Sequence, residues 1–271
     1  MYCEYLDPND IADIMTRQKR SPAFTAFHGN LISLNKNIHL VEELFHGCDE
    51  VPDIIGISET KLNDNADHTI LPGYKFEGMC SETDAGGVGV YINNVYSYDV
   101  RDDLCINVDK CEEIWVEVHT SKRNSAPPKN DNLVVAVLYR HPGSQYTEFR
   151  DKLCATVDTL NKSKTRYVVL GDINIDLLKY NLTKNVTEYL NELQSAGCLS
   201  YINKPTRFKP SLNNPNGTCI DHVYSNIDQE NVENHVIYSD ISDHFSTLTR
   251  LSKIPKKNYP TEGNIQTKKI S

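Results

Sequence analysis

The chain has 271 residues, of which 39% are hydrophobic and 24% charged, a composition that suits a folded globular protein with a sizeable core in one large domain or two small ones. No apolar run approaches the roughly 18 to 20 residues that span a bilayer, and the N-terminus lacks the basic start and apolar stretch of a secretory leader. An intracellular protein, nuclear or cytoplasmic and neither secreted nor membrane-bound, is expected. The formal net charge of −9 is not the profile of a strong non-specific nucleic-acid binder, whose affinity comes from Lys and Arg on phosphates.

In chain order, residues 1–21 are polar and mixed in charge and read as a flexible N-terminal segment. Apolar periodicity then runs through 22–250, which reads as one domain. Residues 251–271, with two prolines and five lysines, read as a flexible basic tail. Strands are predicted at Phe24–Gly29, Asp53–Ser58, Gly87–Ile92, Ile114–His119, Leu133–Tyr139, Tyr167–Leu170, Asp221–Tyr224 and His235–Tyr238. Apolar residues three or four apart predict one helix through Ile38, Val41, Leu44 and Phe45, and another through Tyr146, Phe149, Leu153, Val157 and Leu160. A third passes Val186, Tyr189, Leu190 and Leu193 and stops at Gly197. The stretch 121–132 reads as a solvated loop. Strands outnumber helices and do not alternate with them one for one, which predicts a mixed-sheet α/β sandwich rather than a doubly wound parallel fold. The eight cysteines are scattered without zinc spacing and read as reduced thiols.

Four predicted strands end in groups able to bind metal or phosphate. "FHGN" ends at Asn30, "DIIGISETKL" carries Glu59, "VVLGDIN" carries Asp172 and Asn174, and "YSDISDH" carries Asp240, Asp243 and His244. Hard divalent cations take oxygen ligands and are commonly held by one or two carboxylates together with substrate phosphate. Each residue alone also reads as ordinary structure: Glu59 as a solvated strand end, Gly171-Asp172-Ile173-Asn174 as a turn, and Tyr139 and His244 as packed side chains. Gly86-Gly87-Val88-Gly89 lacks the following Lys-Ser/Thr of a nucleotide-binding loop. Arg207 and Lys209 flank Phe208 in "TRFKP", which can serve a DNA backbone and base or be a plain surface loop.

The motifs "PDIIGISETKL", "GGVGVYI", "LYRHP", "VVLGDINID", "PTRFKP…NGTCIDHVYS" and "ISDHFSTL", in order and spacing, resemble the endonuclease/exonuclease/phosphatase superfamily over about residues 24–250. "NLISLNKN", "LPGY" and "ISDH" resemble the endonuclease domain of LINE-type, jockey-like non-LTR retrotransposons. The resemblance implies a four-layer, DNase I-like fold, in which a two-sheet mixed β-sandwich is flanked by helices and bears the site at one rim. It implies Mg²⁺, with Mn²⁺ as the alternative, held by Glu59 with Asn30 beside it and Asp243 completing the metal environment. Asp172 would orient or deprotonate the attacking water, Asn174 would hold a phosphate oxygen and Tyr139 would contact the phosphate. His244 would stabilise the charge that builds there, with Asp221 fixing its tautomer, and Arg207 and Lys209 would meet the substrate.

The activity so implied is Mg²⁺-dependent nicking of DNA by a monomer, without a reverse transcriptase domain in this chain. Hydrolysis of a small phosphate ester or phosphoinositide on the same fold suits the acidic charge. An inactive remnant kept as a binding module is the third reading, against which the full set of site residues speaks. Ile32 stands where relatives carry Arg or an acid, and "CSETDA" before Gly86 lacks their basic residues.

Overall fold

Runs of β-branched and aliphatic residues form the central strands. In the computed structural model, which describes residues 3–17, 23–63, 70–81, 85–120, 132–208 and 216–257, these strands assemble into two mixed sheets packed face to face. The first sheet has seven strands, in the order β1 (Cys3–Leu6), β12 (Val232–Ile237), β13 (Ser246–Leu251), β2 (Phe24–Asn30), β3 (Ile54–Ser58), β5 (Val88–Asn93) and β4 (Tyr74–Met79). The second has six: β10 (Leu199–Ser200), β11 (Asp221–Ser225), β9 (Arg166–Asp172), β8 (Leu133–Arg140), β7 (Cys111–His119) and β6 (Ser97–Val100).

Alternation along each inner strand sends side chains to two different cores. Phe24, Ala26 and Ile54 meet Val135, Val137 and Leu170 between the sheets. Phe27, Ile55 and Ile57 face outward onto α1 (Ile11–Arg17) and α2 (Leu34–Leu44). On the far side, α3 (Tyr146–Lys162) and α4 (Lys184–Ser195) bury Phe149, Leu153, Val157, Tyr189 and Leu193 against the second sheet. The result is the four-layer, DNase I-like sandwich expected. Gly56 lets the sheets approach closely, since a Cβ there would stand 2.8 Å from the Val137 side chain. As expected, α4 stops at Gly197, whose φ is +76°, and the bonds Gly197 N to Gln194 O and Cys198 N to Leu193 O close its last turn.

All eight strands expected from sequence are present, and five are added. β4 (YKFEGM) and β6 (SYDV) are largely exposed edge strands without a clean apolar alternation. β13 (STLTRL) is buried along its whole length although four of its six residues are hydroxylic or charged. Residues 1–21, expected to be flexible, contain β1, which pairs in parallel with β12, and α1, which buries Ile11, Ile14 and Met15. A few apolar residues in a polar stretch do not announce themselves by periodicity. The tail expected to begin at 251 is anchored at its start: Ile254 is buried, and Lys256 Nζ lies 2.7 Å from Glu50 and 3.5 Å from Asp53. Residues 258–271 and 121–131 lie outside the described residues. All eight cysteines are free thiols.

Candidate functional site

Topology gathers the polar strand ends at one rim. β2 runs parallel to β3, and β8 parallel to β9, so each pair delivers its C-terminal ends together. β11 is antiparallel to β9, and β13 to β2, so these two deliver their N-terminal ends. Register then sets Tyr139, Asp172 and Asp221 side by side across three strands of the second sheet. Asn30 lies opposite Ser58, the residue before Glu59, in the first.

Asn30 joins the two sheets. Its amide nitrogen donates to Glu59 Oε1 at 2.8 Å and to Asp172 Oδ2 at 3.0 Å, and its oxygen accepts from the Ile32 backbone at 3.1 Å. Expected beside the metal, it thus meets Glu59 as a donor that orients the carboxylate. Tyr139 also donates to Glu59 Oε1, at 3.3 Å, and no described residue engages Oε2. Glu59 and Asn174 both adopt left-handed backbone, with φ of +53° each, as does the β-branched Ile32 at +59°. Such conformations in non-glycine residues are strained and gather at functional sites.

Asp172 is held from behind. A Cβ at Gly171 would stand 2.0 Å from Leu138 O, so only glycine allows β9 to lie against β8 there. Asp172 Oδ1 accepts from the Asn174 backbone at 3.2 Å, while the Asn174 amide donates to Arg140 O at 2.9 Å. Burial, followed by the neighbouring Asp221 charge, pushes the Asp172 pKa up to about 7.

Asp221 Oδ2 accepts from Thr206 Oγ1 at 2.7 Å and from His244 Nδ1 at 2.9 Å. Burial opposes the charge on Asp221, but the attraction and hydrogen bond of His244 overcome it and hold the carboxyl below its ordinary range. Burial likewise opposes the imidazolium, yet Asp221 and then Asp172 raise His244 to about 9. The ring is therefore a cation at neutral pH, with Nδ1 turned to Asp221. Its Nε2 stands 3.9 Å from Asp243 Oδ1. Asp243, expected in the metal environment, receives Arg207 on Oδ2 at 3.0 Å from Nε and 2.8 Å from Nη2. Arg207, expected to meet the substrate, is thus engaged within the protein. Lys209 lies outside the described residues. Asp240 lies exposed in the loop before β13.

Two seats for a divalent cation follow from this geometry. Asp172, Asp221 and His244 offer ligand atoms all within 4.8 Å of one another. There His244 presents an N–H to Asp221 and carries positive charge, both of which disfavour a metal. Glu59 offers a carboxylate oriented through Oε1 by Asn30 and Tyr139, and carboxylate oxygen is the ligand that a hard cation takes.

Sequence reading missed three supporting residues. Thr206 receives the Ile220 and Asp221 backbone N–H groups on the same hydroxyl that binds Asp221. Buried Arg140 holds the turn after β9 through Ile173 O at 3.2 Å. His28, fully buried, contacts Ser58 Oγ at 2.9 Å. Only His28 left a signal: it lies two before Asn30 on β2 and so shares its face.

A family model described as "Endonuclease/Exonuclease/phosphatase family" matches residues 26–244. Among solved structures, the endonuclease domain of TRAS1, a telomere-specific non-LTR retrotransposon, superposes with a TM-score of 0.62 at 12% identity, covering 84% of this chain and 98% of that one. A 3'-5' exonuclease, NExo, from Neisseria meningitidis gives 0.58 at 16% identity over 84% and 99%. An AP endonuclease from Archaeoglobus fulgidus gives 0.57 at 14% identity over 84% and 99%. At such identities these likenesses bear on the fold alone. Among curated proteins no match is found.

Proposed function

The chain belongs to the endonuclease/exonuclease/phosphatase family, and from that premise we propose that it is a divalent-metal-dependent phosphodiester hydrolase that nicks DNA. The observation that carries this reading is the Asn30 amide bridging Glu59 and Asp172 at 2.8 and 3.0 Å. It couples a carboxylate suited to a metal with a carboxylate suited to a water.

Glu59 would hold Mg²⁺, or Mn²⁺, with Asn30 orienting it. When bound, the metal neutralises charge on the phosphate and polarises its oxygen. Asp172, with its pKa raised toward neutrality, accepts the proton of the attacking water, because a base is most effective when its pKa lies near the working pH. Asn174 offers a phosphate oxygen the second hydrogen of its amide, the first being given to Arg140 O. Tyr139 meets the same group from the Glu59 side. The His244 imidazolium faces the phosphate through Nε2, and Asp221 fixes its orientation and sustains its charge. Asp243 pairs with Arg207 beside that ring, so the two charges there largely offset each other.

DNA is favoured as substrate by the rim beyond His244. Phe208, 48% exposed, packs with Phe245 at 6.2 Å between ring centroids, and Tyr238 lies 5.0 Å from Phe245. Half-exposed rings beside a phosphate site suit stacking on bases. The wording "LPGY" and "ISDH" adds the retrotransposon character of the reading. A small phosphate ester is the second reading, favoured by the −9 charge and by the engagement of Arg207 with Asp243.

Supercoiled plasmid incubated with purified protein and Mg²⁺, with EDTA, and with the Glu59→Gln variant tests the proposal. Nicking that needs both the metal and Glu59 is expected. Metal-independent nicking, or nicking retained by Glu59→Gln, refutes it, and silence on DNA with turnover of a soluble phosphate ester selects the second reading.

A further inference from the structure

His28 lies on β2 two residues before Asn30, with its ring wholly buried behind the catalytic carboxylates. Its Nδ1 stands 4.0 Å from Asp221 Oδ1, and both of these buried atoms lack a hydrogen-bond partner among the described residues. Unpartnered polar atoms at full burial are costly. Here two complementary ones face each other, and a shift of about 1 Å makes a normal N–H···O bond of them.

The two facing atoms select the tautomer, since a bare Nδ1 lone pair against a carboxylate oxygen would be repulsive, whereas an Nδ1–H is attracted to it. With the ring hydrogen on Nδ1, Nε2 accepts the Ser58 hydroxyl proton at 2.9 Å, the shorter of that hydroxyl's contacts to Nε2 and to Leu138 O at 3.4 Å. The same Ser58 Oγ lies 3.5 Å from the Asp172 backbone nitrogen.

We propose that His28 is a positioning residue of the hydrolytic site: its Nδ1–H takes the Asp221 oxygen that His244 and Thr206 leave open, while Ser58 carries its other nitrogen to the backbone of Asp172. Asp221 then sits between two imidazoles, His244 on one oxygen and His28 facing the other. The carboxylate is fixed in the rotamer that meets His244, and both catalytic carboxylates are referred to one buried ring. The role assigned to the site rests on the hydrolase reading, whereas the atomic arrangement does not.

Three variants separate positioning from packing. His28→Asn keeps an amide N–H near the place of Nδ1, His28→Gln reaches Ser58 and loses the donor to Asp221, and His28→Phe fills the space with no polar atom. The readouts are kcat and KM for nicking with Mg²⁺, thermal unfolding, and the ring ¹⁵N and Nδ1–H NMR signals of His244. Expected are a kcat loss of about tenfold or more in the Phe and Gln variants, the scale for groups that orient a reacting residue, with KM within about twofold and recovery of most of kcat in the Asn variant. The His244 signals should move in Phe and Gln and return in Asn. Unchanged kcat and His244 signals in a folded His28→Phe protein overturn the proposal, as does a loss shared by all three variants in proportion to their unfolding. Inactivity of the wild type on both DNA and soluble phosphate esters refutes the hydrolase reading instead, and the NMR comparison then decides the role of His28 alone.

Discussion

Asp172 and Glu59 stand a single amide apart, yet their surroundings assign them different tasks. Asp172 is fully buried beside Asp221 and is pushed toward neutrality, whereas Glu59 is half-buried with an oxygen toward the rim. Glu59→Gln is expected to lower kcat for nicking at least about a hundredfold while leaving the thermal midpoint nearly unchanged, which parallel kinetics and calorimetry would show. Asp221 and His244 act as one unit through their 2.9 Å bond. Each alanine variant should lose about 10²- to 10⁴-fold in kcat, and the double variant little more than the worse single one. Additive losses in that cycle would mean that the two side chains work independently. Gly171→Ala belongs to a different class, since its Cβ would collide with Leu138 O at 2.0 Å. A destabilisation of at least about 3 kcal/mol is expected from this overpacking, measured by urea unfolding, with activity lost along with the fold.

β11 carries Asp221 on the site side and, one residue on, His222 on the opposite face. His222 Nε2 donates to Ile175 O at 2.8 Å and Nδ1 accepts from Tyr224 at 2.8 Å, so the ring is neutral with both nitrogens satisfied. Burial lowers its pKa from 6.5 to about 4. Between those values the unfolded chain binds the proton more readily than the folded one, so this stability is full above 6.5 and is lost as pH falls toward 4. Going from about pH 7.5 to about pH 5 should cost wild type roughly 2 kcal/mol through this residue. His222→Gln should show a correspondingly smaller drop in urea titrations at the two pH values, and equal drops in the two proteins would contradict the assignment. At the other edge, β1 and α1 seal the outer face of the first sheet with Leu6, Ile11, Ile14 and Met15. Deleting residues 1–17 should lower the urea midpoint markedly, because each fully buried side chain of this kind contributes about 1.5 to 3 kcal/mol. An unchanged midpoint would show that the segment is dispensable to the fold.

The whole molecule is acidic, while the rim beyond His244 carries Arg207 and exposed aromatic rings. On the DNA reading proposed above, long-range electrostatics oppose the approach of the substrate, and binding would draw on few phosphate contacts together with stacking. The slope of log affinity against log salt should be shallow, about two released counterions or fewer, and a steep slope in a fluorescence titration would point to a basic surface elsewhere in the chain. Much of this protein was legible one residue at a time. Strands β3, β8 and β9 are mainly apolar runs and β2 a mixed one, and their ends bear Asn30, Glu59, Tyr139 and Asp172, so local pattern disclosed both the sandwich and the groups at its rim. The edge strands β4 and β6 escaped because half-exposed backbone pairing requires no apolar alternation, and β1 and α1 escaped because their few apolar residues gain meaning only against the sheet they cover. The sequence by itself determined which residues could do chemistry, since side-chain type and strand position are local properties. Only the tertiary structure decided that Arg207 pairs with Asp243, that Asn30 presents its nitrogen to two carboxylates, and that His28 stands behind Asp221. Those relations join residues far apart in the chain, 142 positions in the case of Asn30 and Asp172, and they exist only once two sheets have brought their strand ends to the same rim.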